Sequence, residues 1–304
     1  MKTKNPTLHQ KIRDLAKAKK AIILAHNYQS PQTQDVADLC GDSLEMSIRA
    51  SNTDADIIVC CGVRFMAETA AILCPDKIVL MPNPDAGCPM ADMVTPEAVV
   101  KRKAELGGIP VITYVNSSAA VKAVSDICCT SANVVKVVNS LDADEVLITP
   151  DRNLARFAAA HTDKKIHLWE GYCPFHDDLT AEAVKKAKAE HPQALFIAHP
   201  ECSPDVLELA DSIQSTSGMI RFAGESSADQ FIIGTETGLL HPLSKANPEK
   251  TFFPASDKLT CSAMKTTKLQ DIWNCLENMS GRVVVEEEIR TKALNAVKAM
   301  INLK

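Results

Sequence analysis

The stretch Cys88-Pro-Met-Ala-Asp-Met-Val-Thr-Pro-Glu97 returns as Cys173-Pro-Phe-His-Asp-Asp-Leu-Thr-Ala-Glu182, with Cys, Pro, Asp, Thr and Glu at the same offsets. A third copy, beginning at Cys261, keeps only the cysteine. The three cysteines are 85 and 88 residues apart in a chain of 304 residues. A period of this length is that of a small domain and not of a short solenoid repeat. The sequence therefore predicts three similar domains, each ending on a cysteine.

Other landmarks have the same period. The hydroxyl residues Ser43, Ser131 and Thr216 are 88 and 85 residues apart, and each follows an Asp-containing segment. Ala-Asp pairs precede three apolar runs, at Asp56, Asp144 and Asp229. These landmarks predict domains over residues 1–88, 89–173 and 174–261, followed by a helical extension over 262–304 that reads as two helices around Gly281.

Within the first repeat, apolar strands alternate with helices. Ala21–Ala25, Ile57–Cys61 and Lys77–Met81 are predicted strands, and Gln34–Leu39 and Phe65–Leu73 are predicted helices. This alternation is typical of parallel sheets covered by helices on both faces. We therefore expect an α/β fold of three αβα sandwich domains in a pseudo-threefold arrangement, with the active site at the centre.

Composition and charge exclude several classes of function. The net charge is −5 and no basic cluster occurs, which argues against nucleic-acid binding. No apolar run reaches the ~20 residues needed to span a bilayer, so no membrane partner is expected. The polar stretch Met1–Lys20 lacks the apolar segment of a secretion signal, which predicts a cytoplasmic protein.

Eleven cysteines in such a chain do not indicate a disulfide framework. Most of them are interpreted as small buried hydrophobic residues: Cys60, Cys61, Cys74, Cys128 and Cys129, and with the same default Cys40, Cys202 and Cys275. Cys88, Cys173 and Cys261 are different, because the third repeat has lost its Pro and Asp but not its cysteine.

Three thiolates converging from three repeats would form a metal site with one open position. The spacing matches neither a zinc finger nor a ferredoxin, whose cysteines are clustered in sequence. Thiolates favour zinc or an iron–sulfur cluster over hard cations, and the spacing alone leaves both open.

Polar residues follow the predicted strands and begin the predicted helices. His26, Tyr28, Tyr114, Asn116, His199 and Glu201 follow the first strand of a repeat, and the carboxyl ends of parallel strands carry ligand sites. Ser43, Ser131 and Thr216 lie at predicted helix starts, where a hydroxyl is usually an N-cap. Helix starts also bind anions, so a substrate with several carboxylates or a phosphate would suit them.

Many motifs together resemble the quinolinate synthase (quinolinate synthetase A) family over nearly the whole chain. They are Ala25-His-Asn-Tyr-Gln29, Gly41-Asp-Ser43, Gly62-Val-Arg-Phe-Met-Ala-Glu68, Ala86-Gly-Cys-Pro-Met-Ala-Asp92, Tyr114-Val-Asn-Ser117, Thr130-Ser131, Cys173-Pro-Phe-His176, His199-Pro-Glu-Cys202, Ser215-Thr-Ser217 and Thr235-Glu236-Thr. The resemblance implies a transferase of de novo NAD biosynthesis, which condenses iminoaspartate with dihydroxyacetone phosphate to quinolinate, phosphate and water. It also implies a possible functional link to L-aspartate oxidase.

The resemblance also implies roles for single residues. Cys88, Cys173 and Cys261 would hold one [4Fe–4S] cluster per chain, whose fourth iron acts as a Lewis acid on the substrate. The substrate-binding residues would be His26, Ser43, Tyr114, Asn116, Ser131, His199, Glu201 and Thr216, with Tyr28 lining the centre and His176 beside Cys173. Glu201 is the candidate general base, with a pKa expected to rise toward neutrality, and Tyr114 the candidate acid; Tyr28 and His199 complete the catalytic set.

Two alternatives come from other classes of protein. A cluster-dependent hydro-lyase would only dehydrate a hydroxy acid and would form no pyridine ring. An iron or redox sensor would hold an exposed cluster but would not need the residues around His199 and Tyr114.

Overall fold

The computed structural model describes residues 6–303, and the helices and strands of the first repeat alternate as the sequence predicts. They are α1 (Leu8–Ala18), β1 (Ala21–His26), α2 (Pro31–Val36), β2 (Leu39–Gly41), α3 (Ser43–Ser51), β3 (Ile57–Cys61), α4 (Arg64–Leu73) and β4 (Ile78–Leu80). The polar stretch Met1–Lys20 contains helix α1. Its residues 1–5 lie outside the part of the chain that the structure describes.

The second and third repeats have the same order of elements. The second contains α5 (Pro96–Glu105), β5 (Val111–Tyr114), α6 (Ala119–Ala123), β6 (Ile127–Cys129), α7 (Val134–Ser140), β7 (Glu145–Thr149), α8 (Arg152–Ala159) and β8 (Lys165–Leu168). The short helix α9 (Pro174–Asp177) follows Cys173. The third contains α10 (Ala181–Glu190), β9 (Leu195–Ala198), α11 (Pro204–Leu207), β10 (Ser212–Ile213), α12 (Thr216–Glu225), β11 (Gln230–Gly234), α13 (Leu240–Ala246) and β12 (Thr251–Pro254).

Each repeat forms one parallel sheet of four strands. The orders are β2-β1-β3-β4, β6-β5-β7-β8 and β10-β9-β11-β12, which are the same order three times. This finding confirms the α/β class and the three αβα units. Each sheet lies within one of the predicted domain ranges, whose limits remain predictions.

The second strand of each sheet was not predicted. The predicted helix Gln34–Leu39 is wrong at its end, because Leu39–Gly41 pairs with Leu24–His26 as the parallel edge strand β2. A strand of three residues is too short to show a periodicity of its own. Residues 39–41 follow the short helix α2, so they read as its continuation.

An aspartate before each edge strand explains one of the repeated landmarks. Its carboxylate accepts a hydrogen bond of 2.7–2.8 Å from a main-chain N–H in the first strand: Asp38 from Ile23, Asp126 from Val111 and Asp211 from Phe196. A cation of the preceding helix contacts the same carboxylate in each case: Arg13, Lys103 and Lys188. The aspartate therefore joins helix, first strand and edge strand.

The two helices predicted for the extension are α14 (Leu269–Asn278) and α15 (Glu287–Ile301), on either side of Gly281. Helix α14 shares an apolar cluster with α1 through Ile272 and Leu276. Helix α15 packs on α4 of the first repeat and on α6 of the second, with Ala293 and Val297 fully buried. The extension therefore contacts two repeats, and Glu286–Glu288 is exposed.

The cysteines outside the three repeat ends pack as the sequence predicts. All eleven are free, and seven of the remaining eight are buried: Cys60, Cys61, Cys74, Cys128, Cys129, Cys202 and Cys275. Cys40 is half-buried. Among residues 6–303, no helix has both the length and the apolar character that crossing a membrane requires.

Candidate active site

The loops after the first strands and the three cysteine loops enclose one cavity that is partly open to solvent. All the site residues predicted from the sequence line it: His26, Tyr28, Ser43, Cys88, Tyr114, Asn116, Ser131, Cys173, His176, His199, Glu201, Thr216 and Cys261. His26 and Tyr114 end β1 and β5, and His199 follows β9 directly. Three equivalent strand ends therefore supply equivalent positions in the cavity.

Each of the three cysteines precedes a short helical turn whose main-chain N–H groups face its thiol. Burial raises the pKa of Cys88 to about 12, and the N–H groups of Ala91 and Met90 act against this rise. Burial likewise raises the pKa of Cys261, opposed by the N–H groups of Met264 and Ala263. A buried thiol is a poor thiolate on its own, so a bound metal group would supply the positive charge that deprotonation needs.

The thiol of Cys173 lies beside an imidazole and a carboxylate. His176 Nδ1 is 3.2 Å from Cys173 Sγ and 2.7 Å from Glu201 Oε2. One donor atom from each of these three residues lies within 4.8 Å of the other two, which is close enough for a single metal ion. The cavity thus offers two donor sets, the three thiols or this mixed group.

A chain of hydrogen bonds connects Tyr28 to Glu201 through Thr235 and His176. The Tyr28 hydroxyl lies 2.5 Å from Thr235 Oγ1, which lies 2.8 Å from His176 Nε2. Because a carboxylate only accepts, His176 Nδ1 donates to Glu201, and in the neutral ring Nε2 then accepts from Thr235. Tyr28 belongs to the first repeat, and the other three residues follow Cys173 in the chain.

The carboxylate of Glu201 is buried and faces two imidazoles. Burial alone would raise its pKa, but His176 and His199 outweigh burial and lower the pKa well below its usual range. This direction is opposite to the rise expected from the sequence, since the sequence did not show both Nδ1 atoms near Oε2, at 2.7 and 3.5 Å. Within the described part of the chain, Glu201 Oε1 has no hydrogen-bond partner.

Burial keeps His26, His199 and Tyr114 neutral. Burial lowers the pKa values of His26 and His199 to about 3, although Glu201 acts to raise both. Burial and Glu201 raise the pKa of Tyr114 well above its usual value. His26 Nδ1 accepts from the main-chain N–H of Tyr28 at 3.1 Å, so the proton of the neutral ring is on Nε2.

A family model described as Quinolinate synthetase A protein matches residues 10–302. The chain belongs to this family. It is 55% identical over 295 residues to the quinolinate synthase of Geobacter sp. (strain M21) and 56% identical over 295 residues to that of Geobacter metallireducens, with 97% of each chain covered. It is 53% identical over 297 residues to quinolinate synthase 1 of Methanosarcina acetivorans, with 98% of each chain covered. The resemblance drawn from the motifs is therefore confirmed.

The three hydroxyls of the quinolinate synthetase A motifs are not N-caps. Asp42 caps α3, and Ser215 caps α12, so Ser43 and Thr216 are the first residues of their helices. Ser131 was wrongly placed at a helix start, because it lies in a turn before α7, whose N-cap is Asn133. For α3 and α12 the capping that would have explained Ser43 and Thr216 structurally is done by the preceding residue.

Two further residues of the site received no role from the sequence. Thr235 bridges Tyr28 and His176, and Glu236 is buried beneath the Cys261 loop. Both belong to the quoted motif Thr235-Glu236-Thr, and both follow the carboxyl end of β11. That position at the end of a parallel strand was the signal that could have identified them.

Proposed function

We propose that this enzyme is a quinolinate synthase, a transferase that condenses iminoaspartate with dihydroxyacetone phosphate to quinolinate, phosphate and water in de novo NAD biosynthesis. Family membership and the names of the similar proteins support the proposal. The observation that carries it is that all thirteen site residues predicted from the motifs line one cavity. The imine would come from oxidation of L-aspartate, so a functional link to L-aspartate oxidase is part of the proposal.

Cys88, Cys173 and Cys261 would hold one [4Fe–4S] cluster per chain. The residues fit this group, since one thiol from each repeat reaches the same cavity and faces main-chain N–H donors. Such hydrogen bonds to sulfur are one of the features that tune iron–sulfur clusters. When bound, the cluster supplies an iron with an open position that acts as a Lewis acid on substrate oxygens.

Neutral donors would bind the carboxylates and the phosphate of the substrates. Among the described residues, no lysine or arginine lines the cavity. His26 offers Nε2–H, and Ser43, Ser131 and Thr216 offer hydroxyls that are not used as helix caps. The amide of Asn116 and the ring of His199 complete this set of donors. Preorganised dipoles of this kind can replace water around a buried anion.

Glu201 is the proposed general base. Its carboxylate is ionised in this environment, and Oε1 is without a partner among residues 6–303, so it can accept a proton from the substrate. Tyr114 keeps its proton because burial and Glu201 raise its pKa, which suits a donor to a developing oxyanion. Tyr28 and His199 contact the groups that orient Glu201.

The first experiment measures iron, acid-labile sulfide and zinc per chain in protein purified without oxygen. Roughly four iron and four sulfide per chain, with quinolinate formed from the two substrates, would support the proposal. Zinc near one per chain without sulfide would refute the cluster and favour the mixed site of Cys173, His176 and Glu201. A cluster with dehydration of a hydroxy acid and no pyridine product would identify a hydro-lyase instead.

A further inference from the structure

Each cysteine loop is attached to its own repeat by an equivalent main-chain hydrogen bond. In each repeat, the acceptor is the main-chain carbonyl of the residue two positions before the cysteine. The donor is the first main-chain N–H of the helix that follows β3, β7 or β11. The pairs are Arg64 to Ala86 at 2.9 Å, Arg152 to Gly171 at 2.8 Å and Thr237 to Leu259 at 2.8 Å. This bond is the same in all three repeats, so it does not distinguish the loops.

A second attachment is present in only two repeats. Asp151 Oδ2 accepts from the main-chain N–H of Cys173, and Glu236 Oε1 accepts from the N–H of Cys261, both at 3.1 Å. The other oxygen of each carboxylate is also held, by Leu154 N–H at 2.7 Å for Asp151 and by Gly238 N–H at 2.7 Å for Glu236. Both acids are fully buried, so neither carboxylate can turn away from its cysteine.

The equivalent residue of the first repeat is Val63. Residues 63, 151 and 236 are 88 and 85 residues apart, which is the period of the repeats. Valine has no acceptor, and the main-chain N–H of Cys88 has no hydrogen-bond partner among residues 6–303. Because the carbonyl of Ala86 is still bound, the difference between the loops comes from this one side chain.

Lys265 extends the attachment of the third loop across a repeat boundary. Its Nζ donates to Glu236 Oε2 at 2.9 Å and to the main-chain carbonyl of Tyr28 at 2.5 Å. The Cys261 loop is thus connected to the turn after β1. The loop of Cys88 has no comparable ion pair in the described part of the chain.

We propose that Asp151 and Glu236 are positioning residues that fix Cys173 and Cys261 for the metal group, and that Cys88 lies on the loop that opens. This inference rests on the proposed role of the three cysteines as ligands. A hydrogen bond of this kind stabilises a closed loop by up to a factor of roughly ten. The Cys88 ligand is therefore the first to dissociate when the group is lost.

Hydrogen–deuterium exchange of the metal-loaded protein, read by mass spectrometry, tests the order of the loops. Segment 86–90 should exchange roughly tenfold faster than 171–175 and 259–263. Among the three cysteine segments, Asp151→Asn should accelerate exchange only in 171–175, and Glu236→Gln only in 259–263. Thr180→Ala is the matched control, because it removes the N-cap of α10 without touching a cysteine N–H.

The second readout is the rate of iron release to a chelator. Both substitutions should increase it severalfold, and the control should not. Equal exchange of the three loops in the unsubstituted protein, or no local acceleration in either variant, would overturn the inference. If anaerobic reconstitution yields no iron, the cluster proposal fails, but the exchange measurement on the metal-free chain still tests the attachment of the loops.

Discussion

The hydroxyl oxygen of Tyr28 lies 2.5 Å from Oγ1 of Thr235, although the two residues are 207 positions apart in the sequence. Tyr28 belongs to the first repeat and Thr235 to the third, and Thr235 also contacts His176, which follows the second cysteine, at 2.8 Å. One hydroxyl therefore fixes the relative positions of an aromatic ring and an imidazole that line the cavity.

Replacing Thr235 by valine should decrease the rate of quinolinate formation about tenfold or more, because two hydrogen bonds near 1 kcal/mol each are lost. Thr235→Ser keeps the hydroxyl and should retain most of the activity. The rates are compared at equal iron content. If Thr235→Val and Thr235→Ser were equally active, the hydroxyl would have no role in the reaction.

Each of Cys88, Cys173 and Cys261 should be required for the metal group. Changing any one of them to serine should prevent the protein from retaining roughly four iron per chain after anaerobic purification. Cys40→Ser is the control, since Cys40 is half-buried and does not line the cavity. Full iron and sulfide in the Cys261→Ser protein would show that the third repeat contributes no ligand.

Glu201→Gln should decrease turnover by a factor of about 10²–10⁴, the range for loss of a general base. The substitution keeps the size of the side chain, and iron content should be unchanged. Turnover and iron are measured on the same sample. A Glu201→Gln enzyme with its cluster and full turnover would remove Glu201 from the role of base.

The stability of the metal-free protein should fall on acidification because of His26. Its pKa is 6.5 when unfolded and about 3 when folded, so below pH 6.5 only the unfolded chain binds the proton. The free energy of unfolding then decreases by about 1.4 kcal/mol per pH unit for this group, down to its folded pKa.

Urea unfolding at several pH values measures this slope. Below pH 6.5, the slope of the unfolding free energy against pH should be smaller for His26→Asn by the contribution of one proton. Above pH 6.5, the unfolded pKa, the two proteins should have the same slope. Identical slopes would mean that His26 is protonated in the folded state.

Gly281→Ala should destabilise the protein by about 2 kcal/mol or more, because strain and a collision add. Gly281 has φ +71°, and a Cβ there would collide with the carbonyl oxygen of Met81. Gly107→Ala is a close control: its φ is +75°, but a Cβ meets no atom within 4 Å. A comparable loss of stability in both variants would mean that backbone strain alone accounts for the effect.

The three-domain fold could be predicted because residues with the same structural role recur at the same interval in each repeat. Asp38, Asp126 and Asp211 each join a helix to two strands, so they keep the same period as the strands. Edge strand β2 was missed because three residues carry no periodicity. Whether Leu39 continues a helix or pairs with Leu24 is decided by tertiary contacts.

Most residues that line the cavity could be predicted from the sequence, with Glu236 an exception, but the electrostatics of the site could not. The thirteen residues predicted from the motifs all line the cavity. They lie in segments that follow the carboxyl ends of parallel strands, where ligand sites form. The direction of the Glu201 pKa depends on where His176 places Nδ1, and the helix caps depend on one-residue differences between Asp42 and Ser43. Both features depend on interatomic distances of a few ångströms, which the spacing of residues along the chain does not determine.

The distribution of one proposed cysteine ligand to each repeat would make the metal group a product of assembly. No single repeat carries more than one of the three proposed ligands, so a chain that ends before Cys261 lacks at least one of them. Insertion of iron and sulfide would then follow the folding of the third repeat against the first two. Only a chain with all three repeats in place could then keep the cluster, so a bound cluster would mark a correctly folded enzyme.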